Sequence, residues 1–272
     1  ANQAVAAARL GISTKLVGRL GDDDFGQQLR HSLQATGVDI EGIVVDAATS
    51  SGIAVILVDD AGENQIILIP GANKRLGEAD LENLKNLLPE AGVLLMQLEI
   101  PLPTVLSAAL AARQAGVPVI LDPAPVQELP SELYQSVDIL TPNQVEAAQL
   151  VGFSVNGQET AAQAAKVLQQ RGVGTVIVKL GEQGAFCATE SESFFVPAFP
   201  VEAVDTVAAG DAFNGALAVA LTKGLSLRQA VVWGSAAGAL AATQVGAQTS
   251  LPDLETFQSF LENNRPLHGI KN

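Results

Sequence analysis

The chain has 272 residues, of which 48% are hydrophobic and 16% are charged, and its net charge is −14. A surface of this sign repels phosphate backbones, which argues against binding to nucleic acid or to an anionic membrane. The single cysteine, Cys187, excludes a disulfide within these residues and is typical of a small buried side chain. No apolar run reaches the roughly 18 residues of a membrane span. These features predict a cytoplasmic protein with no nucleic-acid or membrane partner.

The first predicted element of note is a hairpin. Two apolar runs, residues 52–58 and 65–70, flank a turn-rich segment at residues 59–64. Two strands around such a turn predict an antiparallel pair. We expect residues 44–71 to contribute this hairpin to a lid over the site or to an oligomer contact.

Beyond residue 90, short apolar runs alternate with longer amphipathic ones. The strands are predicted at residues 93–98, 117–121, 137–141 and 173–180. The helices are predicted at residues 102–115, 143–151, 159–171, 208–222 and 227–243. Apolar strands separated by helices predict an α/β fold in which helices cover both faces of a parallel sheet.

Polar residues and a glycine follow these strands. Glu99, Asp122, Asn143 and Gly181 each lie at or just after the end of a predicted strand. Ligands of open α/β sheets gather at the carboxyl ends of the strands. If the sheet is parallel, these positions therefore converge on one edge.

Residues 205–215, with the sequence DTVAAGDAFNG, combine two acids with very small residues at the start of a predicted helix. Small side chains let the backbone at Ala208, Ala209 and Gly210 approach a ligand, and the free N–H groups of a helix N-terminus suit a phosphate. Asp211 is well placed to take a proton beside that anion. A helix of small residues packed on a sheet would explain the alanines but not both aspartates. The segment predicts phosphoryl transfer with its own base.

This segment resembles the C-terminal signature of the ribokinase-like carbohydrate kinases, the phosphofructokinase-B family. The resemblance covers nearly the whole chain, and several stretches are similar to the ribose-phosphorylating members in particular. The further matching stretches are residues 1–11, 21–26, 95–99, 122–125, 141–146 and 246–248. It implies a three-layer α/β/α domain over residues 1–272 with a mainly parallel central sheet and a small β-sheet lid.

The resemblance also implies roles at the sugar. Asp211 would be the general base that removes the proton of the sugar's primary hydroxyl, and the N–H groups of residues 208–210 would form an anion hole. Asn2 and Glu99 would hydrogen-bond the sugar hydroxyls. The alternatives are a frayed terminus at Asn2 and an ordinary loop acid at Glu99.

Nucleotide and metal roles follow in the same way. Asn143 and Glu146 would position hydrated Mg²⁺ and the ATP phosphates, with Glu146 acting through water. Lys179, Gly181 and Gly210 would line the nucleotide site. The alternatives are a helix-capping Asn143 followed by a solvated Glu146, and a solvated Lys179.

The family resemblance further implies a monovalent-cation site, occupied by K⁺, beside the anion hole. It would use Asp205 through its carboxylate and Val207, Ala241, Gly246 and Ser250 largely through oxygen atoms. The alternative for Asp205 is a capping acid in the loop before the helix.

Together these features predict ATP-dependent phosphorylation of D-ribose at O5 by a homodimer that associates through the lid. The alternatives are a kinase for fructose, another sugar or a nucleoside such as adenosine, and a non-catalytic relative. Residues 1–11 match only the second half of the N-terminal signature, so we expect the first strands and a sugar-binding aspartate to be missing from this chain. A dinucleotide-dependent oxidoreductase is disfavoured, because no Gly-x-Gly-x-x-Gly follows a first strand.

Overall fold

A computed structural model describes residues 1–58 and 64–264. The strands of this part of the chain are β1 (Thr14–Lys15), β2 (Gly18–Gly21), β3 (Val38–Asp39), β4 (Ile43–Asp46), β5 (Ile53–Val58), β6 (Asn64–Ile69), β7 (Leu94–Met96), β8 (Val119–Leu121), β9 (Ile139–Leu140), β10 (Thr175–Lys179), β11 (Gly184–Ala188) and β12 (Ser193–Pro197). The α-helices are α1 (Asn2–Arg9), α2 (Asp24–Ala35), α3 (Glu78–Leu87), α4 (Leu102–Gln114), α5 (Ser131–Ser136), α6 (Gln144–Val151), α7 (Gln158–Gln170), α8 (Ala209–Thr222), α9 (Leu227–Ala242) and α10 (Leu254–Asn263).

The central sheet has six strands in the order β12-β11-β10-β9-β8-β7. Its four strands from β7 to β10 are parallel, and one row of paired residues crosses them from Met96 through Leu121 and Leu140 to Val176. β11 and β12 add an antiparallel edge that the sequence pattern did not predict. The predicted mainly parallel sheet is confirmed.

The sheet is covered on both faces, which makes three layers. In β8 the side chains of Val119 and Leu121 belong to one apolar cluster and that of Ile120 to another, and all three are fully buried. Alternate residues of a strand point to opposite faces, so each cluster marks one covered face. The first cluster includes α4, α6 and α7, and the second includes α1, α8 and α9. The three-layer α/β/α architecture is therefore confirmed.

Close helix packing on the second face brings the chain's first residues to α8. A Cβ on Gly215 would lie 2.6 Å from the Cβ of Ala6, so α1 and α8 approach with no side chain between them at this point. On the other side of α8, the ring of Phe213 lies where a Cβ on Gly234 of α9 would come within 3.0 Å. This packing holds α1 against the first half of α8.

The predicted hairpin is present as the antiparallel pair β5 and β6, which joins Ile53 to Ile69 and Val55 to Ile67. Its turn at residues 59–63 lies outside the described residues. Ala72 donates to the carbonyl of Ser50 at 2.8 Å, which ties the two ends of the hairpin together. Its role as a lid stays a prediction.

The composition led to expectations about membrane-spanning segments and about Cys187. No helix within residues 1–58 and 64–264 is long and apolar enough to cross a membrane, and the cytoplasmic location stays a prediction. Cys187 lies buried in β11, and burial raises the pKa of its thiol to about 12. A thiol held in its protonated form is a poor nucleophile.

Candidate active site

The start of α8 carries the predicted anion hole. Ala208 precedes the helix with φ 61° and ψ 7°, and it is the one non-glycine residue with positive φ in the described chain. This left-handed conformation costs an L-residue about 1–2 kcal/mol. Gly210 and Asp211 follow in the first turn, where backbone N–H groups have no acceptor within the helix. Ala209 donates its N–H to the carbonyl of Thr206 at 3.2 Å, so its N–H is already engaged.

Asp211 lies beside Asn2. The Nδ2 of Asn2 donates to Oδ2 of Asp211 at 2.9 Å across 209 residues of sequence. Both residues are half-buried, and the packing of α1 on α8 fixes their approach. One oxygen of the Asp211 carboxylate is thereby oriented, while Asn2 is the first residue of an ordered helix in the described chain.

Sequence reasoning missed a polar network next to this pair. Lys179 donates from Nζ to Oδ1 of Asp122 at 3.0 Å, and Gln3 donates from Nε2 to Oδ2 of the same carboxylate at 3.0 Å. Gln97 in turn donates to the side-chain oxygen of Gln3. The Lys179 side chain is only 13% exposed, so the alternative of a solvated lysine is wrong. The position of Asp122 at a strand end was visible in the sequence, but its partners lie 57 and 119 residues away.

Three acids, Glu99, Asp122 and Asp211, lie close enough for their charges to interact. Burial raises the pKa of the Glu99 carboxyl, and the nearby charges of Asp211 and Asp122 raise it further, although the residue as a whole is exposed. Burial also raises the pKa of Asp122, against the opposing effect of Lys179. The mutual influence of these groups agrees with the predicted convergence of strand ends on one edge.

Asn143 and Glu146 form a reciprocal cap at the start of α6. Asn143 accepts the Glu146 N–H through Oδ1, and Glu146 accepts the Asn143 backbone N–H and its Nδ2, all at 2.8 Å. The capping alternative for Asn143 is thus realised, but Glu146 is half-buried rather than solvated. Burial raises the pKa of Glu146, while the charge of Lys179 lowers it. The carboxylate therefore lies within reach of the Lys179 charge.

The loop before α8 is organised by Asp205. Its Oδ1 accepts the N–H of Val207 and its Oδ2 accepts the N–H of Gly246, both at 2.9 Å. These two hydrogen bonds hold the pKa of Asp205 below its usual range. Ala241 and Ser250 are both buried. The backbone N–H of Asp205 donates to the carbonyl of Ala242, the residue after Ala241, at 3.2 Å. Of the predicted cation-site residues, Val207 and Gly246 are thus brought to the Asp205 carboxylate, and the K⁺ site itself stays a prediction.

Gly181 follows β10 with φ 56°, in the left-handed region that favours glycine. A Cβ at this position would meet no atom closer than the side-chain oxygen of Gln144 at 4.0 Å. The described structure therefore requires glycine here for its backbone angle rather than for space. The surface above Gly181 remains open to a ligand.

Comparison with known proteins adds a family match. The model of the pfkB family carbohydrate kinases matches residues 1–254. A ribokinase of Haemophilus influenzae is 40% identical over 263 residues, which cover 97% of this chain and 86% of that protein. A deoxyribokinase of Salmonella typhi is 35% identical over 265 residues, covering 97% and 87% respectively.

Solved structures agree in fold. A ribokinase of Thermotoga maritima superposes with a TM-score of 0.86 at 39% identity, over 96% of this chain and 86% of that one. A ribokinase of Arabidopsis thaliana, solved with ribose and ATP, gives 0.89 at 35% identity with the same coverage.

Proposed function

The chain belongs to the pfkB family of carbohydrate kinases, and we propose that within this family it transfers the γ-phosphoryl group of ATP to O5 of D-ribose. The observation that carries the proposal is the position of Asp211, in the first turn of α8 and hydrogen-bonded to Asn2. Relatives called ribokinase, at 34–40% identity, support ribose as the sugar.

In this proposal Asp211 is the general base. Asn2 holds Oδ2, and the carboxylate takes the proton of the O5 hydroxyl as O5 attacks the γ-phosphorus. The bond between that phosphorus and the bridging oxygen breaks, and its electron pair leaves with ADP. The N–H groups of Ala208 and Gly210 stabilise the charge on the phosphoryl oxygens, whereas the predicted contribution of Ala209 is lost because its N–H donates to Thr206. Glu99 accepts hydrogen bonds from the sugar hydroxyls and fixes the orientation of O5.

Asn143 and Glu146 suit Mg²⁺ because they offer oxygen donors, which this hard cation prefers. The half-buried Glu146 carboxylate keeps unused lone pairs beyond its two hydrogen bonds to Asn143. When bound with ATP, Mg²⁺ neutralises phosphate charge. Glu146 would hold it through water, and Lys179, Gly181 and Gly210 would contact the nucleotide.

The second cation of the proposal is K⁺, bound at a site around Asp205. An ionised carboxylate that organises Val207 and Gly246 is a suitable anchor for a monovalent cation, with Ala241 and Ser250 completing the oxygen ligands. Occupation of the site would fix the loop that leads into the anion hole. Activity assays should therefore compare KCl with choline chloride, and equal turnover in both would remove this cation from the account.

The sugar is the finer part of the proposal. The Salmonella typhi relative called deoxyribokinase makes 2-deoxyribose the strongest competing substrate. Fructose and adenosine remain the other candidates within the family. A non-catalytic relative is disfavoured by the ordered arrangement of Asp211, Asn143 and Glu146.

The direct test of the base is Asp211→Asn. We expect kcat to fall by about 10²–10⁴-fold, the usual contribution of a general base, while ATP binding measured by calorimetry is largely kept. Asp24→Asn is a matched control, since Asp24 is also an acid in the first turn of a helix but is exposed on α2. Unchanged turnover in Asp211→Asn would show that Asp211 is not the base.

A further inference from the structure

Lys179 lies at the meeting point of the sugar, metal and phosphate parts of the site. It ends β10, where its N–H donates to the carbonyl of Pro142 at 2.8 Å and its backbone pairs with Asn143. Its Nζ lies 3.4 Å from the position that a Cβ on Gly210 would occupy. The ammonium is thus beside the first turn of α8, where the phosphoryl group has to approach.

The ion pair with Asp122 leaves hydrogen-bond donors of the Lys179 ammonium available. Within the described chain the ammonium has one hydrogen-bond partner, Oδ1 of Asp122 at 3.0 Å. An ammonium has three donors, so two remain for a ligand. The other carboxylate oxygen of Asp122 is held by Gln3, which fixes the direction from which the carboxylate holds the lysine.

Stability alone is a weak reason for this pair. Its side chains are 13% and 6% exposed, and removing two charges from water costs about as much as their attraction returns. A buried ion pair whose ammonium keeps two donors free is therefore better explained by the binding of a ligand than by folding. The charge balance points the same way, because the chain carries a net charge of −14 and must bind a polyanion.

Resting on the proposed function, we propose that Lys179 is a further catalytic residue, which hydrogen-bonds the transferring phosphoryl group beside Gly210. Asp122 is its positioning residue, and Gln3 in turn orients Asp122. Lys179 keeps all its protons during the reaction. It stabilises the phosphoryl oxygens while the bond from phosphorus to O5 forms and the bond to ADP breaks, and Asp211 receives the proton of O5.

Two variants distinguish a contact of Lys179 with the phosphoryl group from a role limited to neutralising the Asp122 charge. Lys179→Met leaves a buried carboxylate unpaired and would lower activity under either account. Lys179→Met combined with Asp122→Asn removes both charges and restores a neutral site. We expect the double variant to stay on the order of a hundredfold below the unaltered protein in kcat, since a charged donor to the transition state is lost. Recovery of the double variant to within a few-fold of the unaltered protein would overturn the proposal.

Asp122→Asn alone tests positioning. The lysine remains but loses its fixed partner, so we expect kcat to fall about tenfold with the KM for ribose unchanged. A rise in KM at constant kcat would contradict a positioning role. Lys15→Met is the matched control, because Lys15 forms an ion pair of similar length, 3.2 Å, with the exposed Glu90. Thermal unfolding of every variant reports separately on folding.

A binding measurement keeps the inference independent of the sugar. Titration calorimetry with ADP and with β,γ-imido-ATP measures what the γ-phosphoryl group contributes. We expect the preference for β,γ-imido-ATP over ADP to fall about tenfold or more in the double variant, as for the loss of a hydrogen bond to a charged group. An unchanged preference would contradict the proposed role of Lys179 and would leave the proposed ribose kinase activity standing. Absence of ribose phosphorylation by the unaltered protein would count against the proposed function alone.

Discussion

At the scale of residues, the carboxylates of the candidate site are held in different environments. Asp205 accepts two backbone N–H groups, which lower its pKa, whereas burial raises the pKa of Glu99 and Asp122. Asp205 is thus suited to hold a cation as a fixed negative charge. Glu99 and Asp122 are charges that the fold accommodates at some cost, as is common where a site serves binding.

The raised pKa of Glu99 predicts a measurable effect on stability. Because the folded state disfavours the ionised carboxyl, ionisation of Glu99 lowers the free energy of unfolding as pH rises from its unfolded value of 4.5 through the raised folded value. Glu99→Gln cannot ionise. We therefore expect a higher Tm than that of the unaltered protein at pH 7, with the gain shrinking towards pH 4, and a raised KM for ribose.

Calorimetric melting across that pH range provides the check. Glu190→Gln, at an exposed turn, is the control for a change of net charge. An equal gain in Tm from Glu99→Gln at both ends of the range would contradict the assignment of the effect to this ionisation.

Individual site residues could be predicted only where the neighbouring sequence marked their position. Asp211 follows a run of small residues, and Glu99 follows a strand, so each could be singled out from sequence. The Asp122 network could not, because hydrogen bonds from Gln3 and Lys179 depend on how distant segments pack. The lysine at residue 179 had an equally good interpretation as a solvated side chain until that packing was known.

At the scale of elements, helix bounds followed from periodicity and capping. The helix predicted at residues 143–151 has Asn143 as its cap and begins at Gln144, and α8 begins one residue after the predicted start. Like β11, β12 was not predicted. It is an edge strand whose burial alternates, with Phe194 and Val196 buried and the end residues exposed, and such short strands give a weak sequence signal.

The hairpin of β5 and β6 carries a prediction about assembly. Val55 pairs with Ile67 on one face, and these side chains are 39% and 46% exposed. An apolar face of this kind favours burial against a second copy of the chain. We propose that the protein is a homodimer through the hairpin, and we expect Ile67→Lys to shift it towards monomer in light scattering.

Leu110→Lys is the control for that experiment, since Leu110 is 41% exposed on α4, outside the hairpin. A monomer in the unaltered protein at high concentration would contradict the dimer. An unchanged dimer in Ile67→Lys would move the interface away from this face.

At the scale of the whole molecule, the predicted family and fold class are confirmed. The family model matches residues 1–254, and ribokinase structures superpose with TM-scores of up to 0.89. Apolar strands alternating with amphipathic helices already indicated three layers, and the ordered motifs indicated a sugar kinase. D-ribose was predicted from the family resemblance and stays a proposal, because ribose and 2-deoxyribose share most of the hydroxyl groups by which a site could distinguish them.

The global charge of −14 shows why local arrangement decides the function. A polyanionic nucleotide can bind such a protein only where donors and cations are concentrated. In the proposed site, the N–H groups at the start of α8 and the Lys179 ammonium would supply the donors and positive charge, and Asn143 and Glu146 would hold the Mg²⁺.

The measurement that tests the central claim most directly is the specificity constant for D-ribose, compared with 2-deoxyribose, fructose and adenosine in the presence of Mg²⁺ and ATP. ³¹P NMR of the product identifies the phosphorylated oxygen. We expect ribose to have the highest kcat/KM and its product to carry the phosphate on O5. A higher kcat/KM for one of the other three acceptors, or phosphate on another ribose oxygen, would contradict the account.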